Sequence, residues 1–285
     1  MMSDREGFPE LNQGTDLAPM VMTSQDWADL QGAVALLENP GLVARLSDVL
    51  GKPVDIVLDK LPAGAGSTID GATRRALGAA LSLALSTLNS SRRRKARDRF
   101  HAVAAGAAGA AGGAFGLASL AVELPMTTTI ILRSVADVAR SEGENLRNVQ
   151  TRLACLEVFA LGGRTAADDA AESGYFAVRT ALAQAVNEAA RYLSRRTTIE
   201  KGAPVLARLV AGIASRFNTV VAEKIVAQGV PVIGAVGGAA VNIAFTRHFQ
   251  SMARGHFVVR RLERTYGEAM IREHYDRIVR GEALA

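Results

Sequence analysis

Cysteine is almost missing from this chain: Cys155 stands alone among 285 residues. A single thiol excludes an intramolecular disulfide and any cysteine-based metal cluster. Its neighbours, LACLEVFAL, are apolar, so the sequence places it as a buried thiol rather than a reactive one. Aromatics are scarce too, at 5% with one tryptophan, while 49% of the residues are hydrophobic. That balance favours helices rich in alanine, leucine and valine, and no alternating β-branched run marks a strand. The phosphate-binding GxxxxGK[ST] pattern is missing, as are a strand-linked GxGxxG and a GxSxG nucleophile elbow. His101, His248, His256 and His274 come no closer than eight residues, which is no metal-ligand spacing. The sequence therefore implies no cofactor and no metal, and it assigns no catalytic residue. No basic segment followed by an apolar stretch opens the chain, so a secretory signal is not expected and a reduced, cytoplasmic setting is.

What the chain does have is glycine inside uncharged stretches, at residues 102–122 and 225–246. Gly106, Gly109, Gly113 and Gly116 recur at spacings of three and four, along one side of a helix. Glycine costs roughly 1 kcal/mol relative to alanine inside a helix. Close approach of another backbone or of lipid is the usual return. The same helix-packing role is expected of Gly234 and Gly238 in the second stretch, whose hexapeptide GAVGGA nearly repeats GAAGGA of the first. Each stretch is about long enough for a bilayer core of roughly 30 Å. The first, however, is mostly alanine and glycine, and the second contains Gln228, Pro231 and Asn242. A packed soluble core and a contact with lipid both remain open.

Charge is unevenly spread. Residues 1–60 hold four Lys/Arg against ten Asp/Glu, whereas Arg92, Arg93, Arg94, Lys95, Arg97 and Arg99 crowd one short run with a single acid. Arg247, Arg254 and Arg261 follow at spacings of seven, a basic stripe with Phe245, Phe249 and Met252 turned away from it. These nine cations are the candidate contacts for an anionic membrane surface or a membrane protein partner. Nucleic acid is disfavoured, because the basic runs lack interleaved aromatics.

Residues 1–23 read as an acidic, disordered lead-in, and 24–285 as one helical domain. The first helix starts with Ser24 as N-cap, carries Trp27, Leu30, Val34 and Leu37 at helical spacing, and breaks at Asn39-Pro40-Gly41. Further helices are expected over 42–50, 54–61 and 68–88. Pro125 is placed in the first turn of the next, with Thr127, Thr128 and Thr129 capping its start and Gly143 at its end. Helices over 146–161, 170–193, 204–228, 231–266 and 268–279 complete an all-α, multi-helix bundle with two glycine-rich central helices. The most suggestive polar constellation is Glu123, Arg133 and Asp137, joined by Tyr175 and Arg179 of ESGYFAVR. Those residues serve either as ion partners that lock helices or as polar contacts in a pocket.

The segments GAAGGAFGLASLAVELPMTTTIILRSVADVARSEGE, CLEVFALGG, AESGYFAVR and PVIGAVGGAAVNIAFTRHFQSMARGHFVVRRLE, with LENPG at 37–41, resemble the EcsC family. The resemblance implies a bacterial helical protein with an accessory role near membrane machinery, because the family is named after a protein encoded beside an ABC transporter implicated in protein secretion. It brings no enzymatic activity and no assigned site. The functional expectation is a noncatalytic accessory protein, peripheral on the cytoplasmic membrane face. A soluble carrier or enzyme with a polar pocket for a small or lipid-like molecule is the alternative.

Overall fold

The computed structural model describes residues 21–38, 42, 46, 64–86, 120–163, 173–195, 203–228 and 234–282. Among them are eight helices and no strand: α1 (Ser24–Glu38), α2 (Ala65–Ser86), α3 (Leu120–Ser141), α4 (Val149–Leu161), α5 (Gly174–Arg195), α6 (Pro204–Gln228), α7 (Gly234–Tyr266) and α8 (Glu268–Val279). The chain is thus an all-α multi-helix bundle. The glycine run at 106–116 and the basic run at 92–99 lie outside the described residues.

Local chemistry sets the helix ends. The cap of α1 is Thr23 rather than Ser24, since the Thr23 hydroxyl accepts the Asp26 N–H at 3.1 Å and donates to the Asp26 carboxylate at 2.9 Å. Asn148 caps α4 by accepting the Gln150 N–H. α3 closes where the Gly143 signal expected it. Gly143 adopts φ +81°, and Glu144 and Gly143 donate to the carbonyls of Ala139 and Arg140 in a Schellman arrangement. Its beginning differs from expectation: the helix already runs at Leu120, so Pro125 sits inside it and forfeits one backbone bond. Thr127 and Thr128 accordingly cap nothing. They are fully buried in the helix interface, and their hydroxyls find no partner. Burial of the α3 inner face outweighs the proline penalty.

The 33-residue helix α7 forms the spine, burying Phe245, Phe249, Met252, Phe257 and Leu262. The scarce phenylalanines are concentrated here. Phe159, Phe217, Phe245 and Phe249 make one cluster with ring centroids 5.1–6.1 Å apart. α3 packs against α2 and α7, while α6 packs against α2, α4 and α5. In α2 the close-packing residue is alanine: Ala72, Ala76, Ala80 and Ala84 recur every four residues and are buried. Three contacts fix direction. The Leu85 carbonyl takes Arg152 near the α3–α4 corner, Asp70 takes Asn218, and Glu123 takes Lys224. α2 and α3 therefore run parallel, with α6 antiparallel to both.

α6 is the described helix with the length and mean hydropathy, 1.4, to cross a membrane by composition. In this fold it is a bundle helix with a buried lysine. The second uncharged stretch, 225–246, is divided between the end of α6 and the start of α7.

Candidate functional site

The polar residues singled out from sequence do not gather in one pocket. Glu123, on the first turns of α3, is buried and accepts from Lys224 Nζ at 2.7 Å and from Gln228 Nε2 at 3.1 Å, both on α6. Lys224 is fully buried, with its ammonium 5.1 Å from the Phe245 ring centroid. Burial holds the Lys224 pKa below the ordinary lysine range, and the charge and hydrogen bond of Glu123 offset only part of that. This is a desolvated ion pair tying α3 to α6. Nothing in the sequence pairs these two residues, since Lys224 stands beside another acid, Glu223, in VVAEKIVAQ.

Tyr175 and Arg179, one turn apart on α5, do act together, with partners from α7. Arg179 forks onto Glu263 at 2.6 and 3.2 Å and donates to the Tyr175 hydroxyl at 3.2 Å. The hydroxyl and His256 Nδ1 lie 3.0 Å apart and share a hydrogen bond. The other ring nitrogen, Nε2, is buried without a partner. Burial, aided by the charges of Arg260 and Arg179, lowers the His256 pKa well below its usual value and keeps the ring neutral. Burial raises the Tyr175 hydroxyl in the same way. Behind it, Tyr275 stacks on Tyr175 at 5.4 Å and donates to Glu38 at 2.8 Å. Glu38 also accepts from the Ser173 hydroxyl and the Tyr175 N–H, capping the entry to α5.

A third group surrounds Glu144, just beyond α3. It accepts from Arg260 at 2.8 Å, from Thr151 at 2.9 Å and from Arg264. Burial alone would raise its carboxyl, but the Arg260 bond and charge, followed by Thr151 and Arg264, hold it below the ordinary value. Glu157 has the opposite balance. Burial pushes its carboxyl up against the opposing charges of Arg179 and Arg260.

The remaining sequence candidates separate. Arg133 is exposed on α3, and Asp137 pairs with Arg140 within the same helix. Arg247 and Arg254 are exposed on α7, whereas Arg261 is held by Asp26 at 2.9 Å, Glu142 at 3.0 Å and Asp29. A guanidinium held by three carboxylates is neutralised within the fold and breaks the basic stripe at its third member. Gly234 opens α7 and Gly238 is buried in it; Gly106, Gly109, Gly113, Gly116 and the cations Arg92, Arg93, Arg94, Lys95, Arg97 and Arg99 lie outside the described residues.

Cys155 is buried in α4, and burial pushes its thiol up to about 12. The thiolate is the reactive form, so the folded protein is expected to resist a thiol-specific dye that labels it rapidly in denaturant. Equal labelling rates in the two conditions would show the α4 core to be open. Among the described residues no group of His, Cys, Asp and Glu is placed to hold a metal ion.

An all-α bundle whose buried charges close on one another in helix-linking pairs is the class this arrangement defines. Within it, the chain belongs to the EcsC protein family, whose model matches residues 43–262. That span takes in α2 to α6 and most of α7, and leaves α1 and α8 outside. No curated protein and no solved structure matches the chain.

Proposed function

We propose that this chain is a noncatalytic helical accessory protein that works on an anionic membrane surface. One observation carries the reading: Val122 and Met126, one turn apart on α3, are 67% and 52% exposed. Bulky apolar side chains side by side on a helix face favour an apolar neighbour by about 25 cal/mol per Å² covered. Ile130 and Arg133 extend that face, which gives an apolar stripe bounded by a cation. The uncharged sequence 102–122 leads directly into the stripe, and the six cations at 92–99 precede it. Each cation held near an anionic surface contributes about 1 kcal/mol.

Vesicle sedimentation tests this. Anionic vesicles are expected to bind the protein at least tenfold better than neutral ones, with the difference shrinking as salt rises. Met126→Glu should weaken binding to anionic vesicles without changing helical content. Replacing Arg92, Arg93, Arg94 and Lys95 by glutamine should remove the anionic preference. Equal binding to both vesicle types would discard the reading. A carrier of lipid-like molecules is the second reading, supported by a groove between α2 and α6.

A further inference from the structure

A cavity of about 370 Å³ opens between α2 and α6, lined by Arg74, Gly78, Leu81 and Leu85 on one wall and by Leu206 and Val210 on the other. We propose that it binds a single-chain anionic amphiphile, with the alkyl tail along the leucines and the head group on Arg74. This proposal extends the carrier reading and does not depend on the membrane-surface one, whose apolar stripe is on α3.

The residues on α2 fall at helical spacing on one face, so the groove follows the helix axis. Leu85 lies eleven positions beyond Arg74, a run of roughly 16 Å at the helical rise, which matches an extended chain of roughly a dozen carbons. The volume lies within the roughly 300–1,000 Å³ typical of small-molecule sites, and the leucine and valine lining suits a hydrocarbon, with Ser82 and Ser86 the polar side chains beside Arg74. Arg74 is the one charged side chain among the lining residues. Its Nε donates to Asp70 at 2.7 Å, and no described residue takes its terminal amino groups. The other Asp70 oxygen accepts from the Asn218 amide at 2.9 Å, which fixes the carboxylate and through it the Arg74 guanidinium at the groove. The two free amino groups offer a head-group oxygen the planar fork that carboxylate and phosphate both fit.

Gly78 lines the groove between Arg74 and Leu81, and a Cβ added there meets nothing within 4 Å, so the backbone leaves room for a side chain to begin. A leucine at Gly78 is expected to extend into the tail's place, and it exchanges a poor helix former for a good one.

The test is a titration of purified protein with dodecanoate, dodecyl phosphate, dodecanol and hexanoate, each below its micelle concentration, followed by calorimetry. Dodecanoate and dodecyl phosphate are expected to bind with one site, dodecanol at least tenfold more weakly, and hexanoate not measurably. Gly78→Leu should lose dodecanoate binding by tenfold or more while its melting temperature holds or rises. Ala207→Leu, at a residue that lines the opposite wall between Leu206 and Val210, supplies a second blocked variant if the first fails to fold. Arg74→Gln should equalise the acid and the alcohol. Unchanged dodecanoate affinity in a folded Gly78→Leu or Ala207→Leu, or no binding by the unmodified protein, overturns the proposal. Dodecanoate binding that survives in Met126→Glu separates this groove from the membrane-surface reading.

Discussion

Lys224→Met is expected to destabilise the protein by about 3–5 kcal/mol, because it leaves the Glu123 carboxylate buried without its cation. Glu123 keeps only the Gln228 amide at 3.1 Å. For a chain of this size the loss corresponds to a fall in melting temperature on the order of 10 °C. The double variant Glu123→Leu/Lys224→Met should recover most of that loss. It removes both desolvated charges and replaces them with side chains that suit the neighbouring Phe245. A thermodynamic cycle over the two single variants and the double therefore separates the worth of the pair from the penalty of orphaning one member. If the two single changes simply add, Glu123 and Lys224 are not coupled and the pair does not hold α3 to α6.

Gly163→Ala is the second change with a large expected effect. A methyl at this position would lie 2.1 Å from the Arg216 carbonyl oxygen and 2.6 Å from Val220 Cγ2, where α4 ends against α6. The first of those atoms belongs to a helix backbone and cannot swing aside, so the cost belongs at the top of the roughly 1–3 kcal/mol range for overpacking, or above it. Gly71→Ala supplies the contrast. Its added methyl meets nothing within 4 Å, on the exposed side of α2, and the gain in helix propensity should stabilise by up to about 1 kcal/mol. Chemical denaturation of both variants reads the difference, and equal midpoints would sink the close-approach argument at Gly163.

The helices were legible because apolar residues recur along them at a strong helical period: 204–228 and 268–279 coincide with α6 and α8. Their ends were legible where a single residue decides the backbone, as at Gly143. They were not where tertiary burial overrides a local rule, as at Pro125, or where two neighbouring hydroxyls compete for one cap, as at Thr23 and Ser24. The polar partners were hidden for a different reason. Glu123 and Lys224 are 101 positions apart, and Arg179 and Glu263 are 84 apart. Helical spacing pairs residues three or four apart and carries no information across such distances. Tyr175 and Arg179 could be seen together because they share one turn; His256 and Glu263 could not be added to them. Two close-packed glycines escaped the sequence reading for a similar reason. Gly255, against Leu37 Cγ at 2.6 Å, is isolated in the sequence, and Gly163 belongs to a Gly162-Gly163 pair at a helix end; the close contacts of both are visible only once helices cross.

The parallel course of α2 and α3 bears on the order in which the chain assembles. Two neighbours joined as an antiparallel hairpin can zip up from their turn, but parallel neighbours have no turn to start from. Their contact must wait until the chain between them closes, at an entropy cost that rises with the length enclosed. The α3–α4 corner and the α7–α8 corner need no such closure, since each joins helices only a few residues apart. Early structure is therefore expected at those corners, with α2 docking late. Late docking leaves the leucines of the α2–α6 groove exposed during synthesis, and the window in which the newborn chain is most prone to aggregate is set by that one step.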